Sequence, residues 1–125
     1  MEEIKLYHAN GQLCEHCYKL NDKLHGEYKA WYDNGQLGTH RHFVDGELHG
    51  EYKRWFENGQ LCLCTYLVHG RRHGECKGWD SQGNLNNHSF WLHGKDVTEQ
   101  VDKLVTNRYN ITQEERTFVK LVIGC

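Results

Sequence analysis

Asn10-Gly11-Gln12-Leu13, Asn34-Gly35-Gln36-Leu37 and Asn58-Gly59-Gln60-Leu61 stand 24 residues apart, and Gln82-Gly83-Asn84-Leu85 falls on the next multiple. A fixed period changes the whole reading of a fold, because each unit must then bury its apolar surface against its neighbours. A second signature keeps the same step: His25-Gly26-Glu27, His49-Gly50-Glu51 and His73-Gly74-Glu75, followed by Tyr28, Tyr52 or Cys76 and then by Trp31, Trp55 or Trp79. Each unit carries another turn signal about twelve residues after the Asn-Gly pair: Asn21-Asp22, Asp45-Gly46, His69-Gly70 and His93-Gly94. Such pairs supply the positive φ angles of two-residue hairpin turns.

The segments between turns are rich in Tyr, Trp, Phe, Leu and Val, and the chain contains no proline to interrupt them. They predict eight strands, near 3–9, 12–19, 24–32, 37–44, 48–56, 61–68, 72–80 and 85–92, each joined to the next by a hairpin. With two-residue turns, Tyr28 faces Arg41, Lys53 faces Cys64 and Trp55 faces Cys62. One face then gathers Leu13, Leu37, Leu61, Tyr28, Tyr52, Tyr32, Phe56, Phe43, Leu67, Leu24 and Leu48, and is expected to be buried. Gly50 and Gly74 are expected to leave room for the rings of Tyr28 and Tyr52. The other face carries rows of Lys5, His16 and Glu27, then Lys29, His40 and Glu51, then Lys53, Cys64 and Glu75, together with the three repeated tryptophans.

The last thirty residues change character. Val97, Val101, Leu104 and Val105 recur at helical spacing behind Asp96 and Glu99, which read as a capping box. Thr112 and Glu115 read as a second box, opening a segment with Phe118, Val119, Leu121, Val122 and Ile123 that Gly124 can end. The expected organisation is a β-repeat array over residues 1–95 and a helical cap over 96–125, since a repeat array needs its last edge covered.

The 24-residue unit, with its Gly-Glu-aromatic strand, aromatic pair and Asn-Gly-Gln-Leu turn, resembles the second variant of the MORN repeat family over about residues 3–95. The Tyr-x-Gly opening of the first MORN type is absent, and Cys76, Asp80 and Ser81 depart from the pattern. The resemblance implies a mainly β fold, a single-layer antiparallel β-hairpin meander, here with a two-helix C-terminal cap. It also implies use in protein assembly or in lipid contact, and repeats that look like those abundant in bacteria and in large DNA viruses.

Charge and motif content narrow the function. The net charge is -2, with lysines and arginines scattered, so no basic stripe recruits nucleic acid. If half of the ten histidines were protonated, the balance would move to roughly +3. Met1-Glu2-Glu3-Ile4-Lys5 is not a signal peptide and no stretch reaches membrane-spanning length, so a cytoplasmic protein is expected. Six cysteines in that compartment read as free thiols.

Cys14-Glu15-His16-Cys17 has metal-site spacing, with Cys62 and Cys64 downstream. Residues three apart on a strand point to opposite faces, however, and equivalent positions in successive repeats are roughly 9–10 Å apart, so no tetrahedral site closes. His16, His40 and His88 each have a glutamate nearby, but the sequence offers no nucleophile elbow, no phosphate loop and no pocket-forming second layer. No catalytic residue, metal site or cofactor is expected. The expected function is a non-enzymatic scaffold for protein–protein interaction, with a membrane-surface adaptor as the alternative. Its partner contacts are expected at Trp31, Trp55, Trp79, His16, His40, Lys29 and Lys53. An uncovered first strand, Glu3 to Ala9, and an apolar surface including Ile4 and Leu13 lead to an expected two-fold homodimer.

Overall fold

In a computed structural model of the chain, residues 1–106 and 112–123 are described. The strands are Glu2–Tyr7 (β1), Leu13–Leu20 (β2), Lys23–Leu24 (β3), Gly26–Trp31 (β4), Leu37–Val44 (β5), Glu47–Leu48 (β6), Gly50–Trp55 (β7), Leu61–Val68 (β8), Arg71–Arg72 (β9), Gly74–Trp79 (β10), Leu85–Leu92 (β11) and Lys95–Asp96 (β12). Two helices follow, Thr98–Thr106 (α1) and Gln113–Ile123 (α2). The strands form one antiparallel sheet, running β1-β2-β4-β5-β7-β8-β10-β11-β12, with β3, β6 and β9 on β2, β5 and β8. This is the expected single-layer hairpin meander with a two-helix cap.

Two departures from the expected register have local causes. The first is at the Asn-Gly turns, which are not two-residue loops. The amide of Gly35 donates to the Tyr32 carbonyl at 3.0 Å and that of Tyr32 to the Gln36 carbonyl at 2.9 Å, enclosing three residues. Only the glycine takes positive φ, +87° at Gly35, whereas a two-residue turn of the primed kind needs it at both positions. The asparagine instead accepts the Gln36 amide on Oδ1 at 2.9 Å. The extra residue is absorbed as a bulge, so Trp55 stands opposite Leu61 and not Cys62, while Lys53 faces Cys64 as expected. The second family of turns is as expected, with positive φ at both Asp45 and Gly46, and at both His69 and Gly70.

The second departure splits the strands expected at 24–32, 48–56 and 72–80. Lys19 faces Leu24, but Glu15 faces Ala30, so two additional residues are accommodated around His25 to Tyr28. Gly26, Gly50 and Gly74 carry this distortion at φ of +88°, +107° and +89°. The rings of Tyr28 and Tyr52, for which Gly50 and Gly74 are expected to leave room, do not lie against them: a Cβ on Gly50 would meet His42 at 3.6 Å and one on Gly74 the Val122 carbonyl oxygen, while one on Gly26 would meet nothing within 4 Å. At Gly26 and Gly50 the backbone conformation is the requirement, not the space; at Gly74 the Val122 carbonyl oxygen, 3.1 Å from the would-be Cβ, adds a steric one. Gly38 is the glycine that lies against a ring, with Tyr32 at 3.0 Å from its would-be Cβ.

The face expected to be buried carries Cys17, Phe43, Thr65, Leu67 and Cys76, all nearly inaccessible. Arg41 lies on it with its guanidinium 4.6 Å from the Tyr28 ring centre and 5.5 Å from that of Tyr52, tying successive repeats together. Burial, then a hydrogen bond from the neutral phenol to Glu15, pushes the Tyr28 pKa up to about 12.

Leu13, Leu37 and Leu61 do not segregate with that face. Leu13 lines a hollow with Trp31, and Leu61 one with Trp79, because the bulge turns the residue after each Asn-Gly-Gln toward the tryptophan side.

Repeats are also stitched along both edges. Asn10, Asn34 and Asn58 donate from Nδ2 to the carbonyls of Asp33, Glu57 and Ser81 at 2.7, 3.0 and 3.0 Å. The Tyr32 hydroxyl donates to the Trp55 carbonyl at 2.7 Å, and His8, its counterpart one repeat earlier, meets the Trp31 carbonyl at 2.8 Å. On the opposite edge the amides of Gly46, Gly70 and Gly94 donate to the carbonyls of Leu24, Leu48 and Arg72.

Phe90, Val97, Val101 and Val122 form a buried cluster with Leu92 and Phe118 against it, which seats both helices on the last hairpin. Thr112 and Glu115 make the reciprocal capping box expected of them, at 3.0 and 3.1 Å. Asp96 accepts the Thr98 amide at 2.9 Å, but Glu99 pairs forward with Lys103 at 3.3 Å instead of closing a box. Gly124, expected to end α2, lies outside the described residues, as do the side chains of Val105 and Ile123.

Candidate functional site

The polar face is built from one residue set repeated down the array. Within a strand, alternate residues share a face, so Glu27, Lys29 and Trp31 on β4 project together, as do Glu51, Lys53 and Trp55 on β7, and Glu75, Lys77 and Trp79 on β10. The two-residue insertion near each His-Gly changes what lies across from them. His16 faces Lys29 and not Glu27, His40 faces both Lys29 and Lys53, and Cys64 faces both Lys53 and Lys77. The rows expected as Lys-His-Glu are therefore a lysine–histidine row, with cysteine at 64, flanked by a row of glutamates.

Each glutamate neutralises that row. Lys5–Glu3, Lys29–Glu27, Lys53–Glu51 and Lys77–Glu75 pair along their own strands at 3.2, 3.7, 3.0 and 3.5 Å. The same carboxylates reach the histidine of the following strand: Glu3 to His16 at 3.6 Å, Glu27 to His40 at 2.8 Å and Glu75 to His88 at 3.0 Å. The hydrogen bond from His40 holds the Glu27 carboxyl below its ordinary pKa. At Glu75 burial opposes ionisation, but the His88 hydrogen bond and Lys77 still draw its pKa down. At surface exposure such pairs are worth a few tenths of a kcal/mol each, so the ladder sets charge pattern more than stability.

Trp31, Trp55 and Trp79 are half-buried, one strand lying between each and the next. Trp31 shares a hollow of about 340 Å³ with Gln12, Leu13 and Gly35; Trp79 shares one of about 310 Å³ with Gln60, Leu61 and Gly83. These hollows are shallow and contain no titratable side chain. The sheet thus brings His16, Lys29, His40 and Lys53 into one continuous row, and sets the tryptophans beside it in separate seats.

Two further sets of residues escaped the sequence reading. His49 and His69 lie with ring centres 5.1 Å apart, and His73 and His93 5.0 Å apart, where each His-Gly signature meets the next repeat's turn. Their 20-residue separation is visible in the sequence once the turns are aligned. The other is the row Tyr18, His42, Tyr66 and Phe90, two residues beyond His16, His40, Cys64 and His88 on the same face. Ring contacts of 5.1, 5.0 and 5.0 Å join His16 to Tyr18, His40 to His42 and His88 to Phe90.

The cysteines at 14, 17, 62, 64 and 76 are all free thiols. Burial, ahead of nearby charges, raises the Cys17 and Cys64 pKa values, so neither is poised as a nucleophile.

A one-layer antiparallel sheet with the same ion-pair unit on every second strand defines a β-hairpin repeat protein. Residues 24–45 and 48–66 match the family model described as a MORN repeat variant, so these stretches are MORN-variant repeats, as the resemblance implied. The first and last hairpins lie outside the match but repeat its register, with the same bulge where Tyr7 meets Leu13 and Trp79 meets Leu85. No curated protein and no solved structure matches the chain. The family is one of repeat scaffolds, generally without enzymatic activity. Among the described residues no helix is long and apolar enough to cross a membrane.

Proposed function

We propose that the chain is a non-enzymatic scaffold that holds a protein partner on its lysine–histidine–glutamate face. One observation carries this reading: the same face already receives polypeptide at one repeat. Phe90, on the face of His88, is covered by Val97, Val101 and Val122 from the chain's own helical segment. Tyr18, His42 and Tyr66 occupy the equivalent place in the other repeats, and Tyr66 is 45% exposed. A partner laid along the face would meet these rings, with Lys29, Lys53, His16 and His40 beside them and Trp31, Trp55 and Trp79 as flanking anchors. The recurrence of the unit favours a long contact over a single reaction centre.

Self-association fits the same picture. Strand β1 pairs only with β2, and Leu6 and Tyr7 at this edge are 50% and 62% exposed. An uncovered edge of this kind supports edge-to-edge pairing in a two-fold dimer.

The test is capture of partners from the native host by the wild-type chain and by Lys29→Glu/Lys53→Glu. A partner held by the wild type and lost from the variant, with unchanged circular dichroism, supports the reading; partners indifferent to the reversal overturn it. Co-sedimentation with vesicles, with and without anionic lipid, distinguishes the membrane-adaptor alternative, which firm vesicle binding would put first. Light scattering at micromolar concentration reads the dimer, and Ile4→Asp is expected to dissociate it.

A further inference from the structure

We propose that Glu27, His40 and His42 form a binding site for a zinc-class divalent cation, present in this one repeat and in none of the others. Glu27 stands directly opposite His42 in the β4–β5 ladder, and His40 lies two residues along on the same face. The His40 and His42 ring centres are 5.0 Å apart, and His40 Nε2 is 2.8 Å from Glu27 Oε1. One ligand atom from each of the three residues lies within 4.8 Å of the other two.

A tetrahedral zinc ion with bonds of roughly 2.0–2.2 Å holds its ligand atoms about 3.3 Å apart, so the gap closes by small side-chain rotations. The half-buried imidazoles stand on one strand, and the exposed Glu27 carboxylate turns to the ion once its contacts with His40 and Lys29 part. Two imidazoles and a carboxylate suit zinc, nickel or copper rather than calcium or magnesium, and leave at least one coordination position for water or a partner's side chain.

The array supplies its own comparison. The equivalent trios are Glu3, His16 and Tyr18; Glu51, Cys64 and Tyr66; and Glu75, His88 and Phe90. Every repeat keeps the glutamate, and three of the four keep the first histidine, but only the second repeat places an imidazole at the third position.

In the free chain His40 Nε2 and Glu27 Oε1 are joined by a hydrogen bond of 2.8 Å. Metal entry replaces that hydrogen bond: the neutral His40 ring carries its proton on Nδ1, and Nε2 and the carboxylate oxygen both turn to the ion. Lys29, 3.7 Å from Glu27 Oε1, must swing away, which its partly exposed chain permits. This inference is independent of the partner-binding reading, since a metal can bind the free chain.

The test is titration of the full-length chain with zinc chloride by calorimetry, with histidine ring nitrogens followed by NMR. The expected result is one ion that shifts His40 and His42 together. His42→Tyr, which installs the residue found at the equivalent position in the first and third repeats and so preserves the fold, should weaken this binding about 100-fold, at least as much as loss of a supporting outer-shell group costs. Tyr18→His should add a second ion by completing the Glu3 and His16 pair. Binding that His42→Tyr leaves unchanged, equal shifts at His16 or His88 in the wild type, or failure of zinc to bind below millimolar concentration would overturn the proposal.

Discussion

Replacing Gly26 by alanine isolates what the repeated glycine contributes. At φ +88° an L-residue is strained, and a Cβ there would meet no atom within 4 Å, so sterics with neighbours drop out. Left-handed backbone costs a non-glycine residue roughly 1–2 kcal/mol, and up to about 3 kcal/mol where the φ is further from the favoured left-handed well. Alanine recovers about 0.4–1 kcal/mol by restricting the unfolded chain. The net expectation is a loss of about 1–2 kcal/mol, a fall in Tm on the order of 5 °C for a chain of this size. Asparagine tolerates positive φ, as Asn21 does at +53° in the preceding turn, so Gly26→Asn should lose less than half as much. Urea and thermal melts followed by circular dichroism measure both. An alanine variant as stable as the wild type, or an asparagine variant worse than alanine, would refute the assignment of these glycines to backbone conformation and to the bulge they carry.

Other perturbations test the remaining contacts. Gly38→Ala acts by the opposite mechanism, since the new Cβ would sit 3.0 Å from the Tyr32 ring; a loss of about 1–3 kcal/mol is expected in melts, and partial restoration when Tyr32 is shortened to leucine. Asn34→Ala removes both the cap on Gln36 and the link to the Glu57 carbonyl, and should cost about 1–2 kcal/mol by urea denaturation. Arg41→Ala should destabilise by about 1–2 kcal/mol through lost contact with Tyr28 and Tyr52, read in the same assay. For Glu27 the folded pKa is depressed, so its contribution is present above the ordinary carboxylate range and is lost as pH falls through the lower folded value. Carboxyl-carbon NMR should show Glu27 titrating below the ordinary glutamate range, and His40→Phe should move it back upward.

The period, the turns at Asp45-Gly46 and its equivalents, the pairing of Lys53 with Cys64 and the helical cap were all legible, because each rests on local chemistry that recurs. What the sequence hid lies at two bulges. The Asn-Gly pair is compatible with a two-residue loop and with a three-residue loop ending in a left-handed glycine, and the choice falls to the asparagine, whose side chain is committed to Gln36 and to the next repeat. The His-Gly pair accommodates two additional residues, an even number, so faces are conserved while partners shift. That is why His16, His40, Lys29 and Lys53 fall on the face expected of them while the predicted Lys-His-Glu rows do not form. Leu13 and Leu61 moved because their bulge adds a single residue, which breaks the alternation on which the assignment of faces depended.

The two bulges also account for how a sheet with no second layer holds together. A flat ribbon would join repeats only through its ladder, yet each junction here gains links that depend on the irregular turns. The three-residue loop carries its asparagine within reach of the next repeat's loop, and the tyrosine preceding it reaches the Trp55 carbonyl. The distortion at His49-Gly50 carries that histidine within 5.1 Å of His69 on the following turn, where Glu47 lies 3.6 Å from the same ring. Both sets of links run along the edges, where an extended strand would leave backbone unpaired. Among the described residues the polar face between them is left free of inter-repeat duties other than its surface ion pairs, since the Arg41 contacts with Tyr28 and Tyr52 lie on the opposite face. A face so released can diverge in sequence without loss of the fold, and the third ring position has done so: tyrosine, histidine, tyrosine and, beneath the helices, phenylalanine.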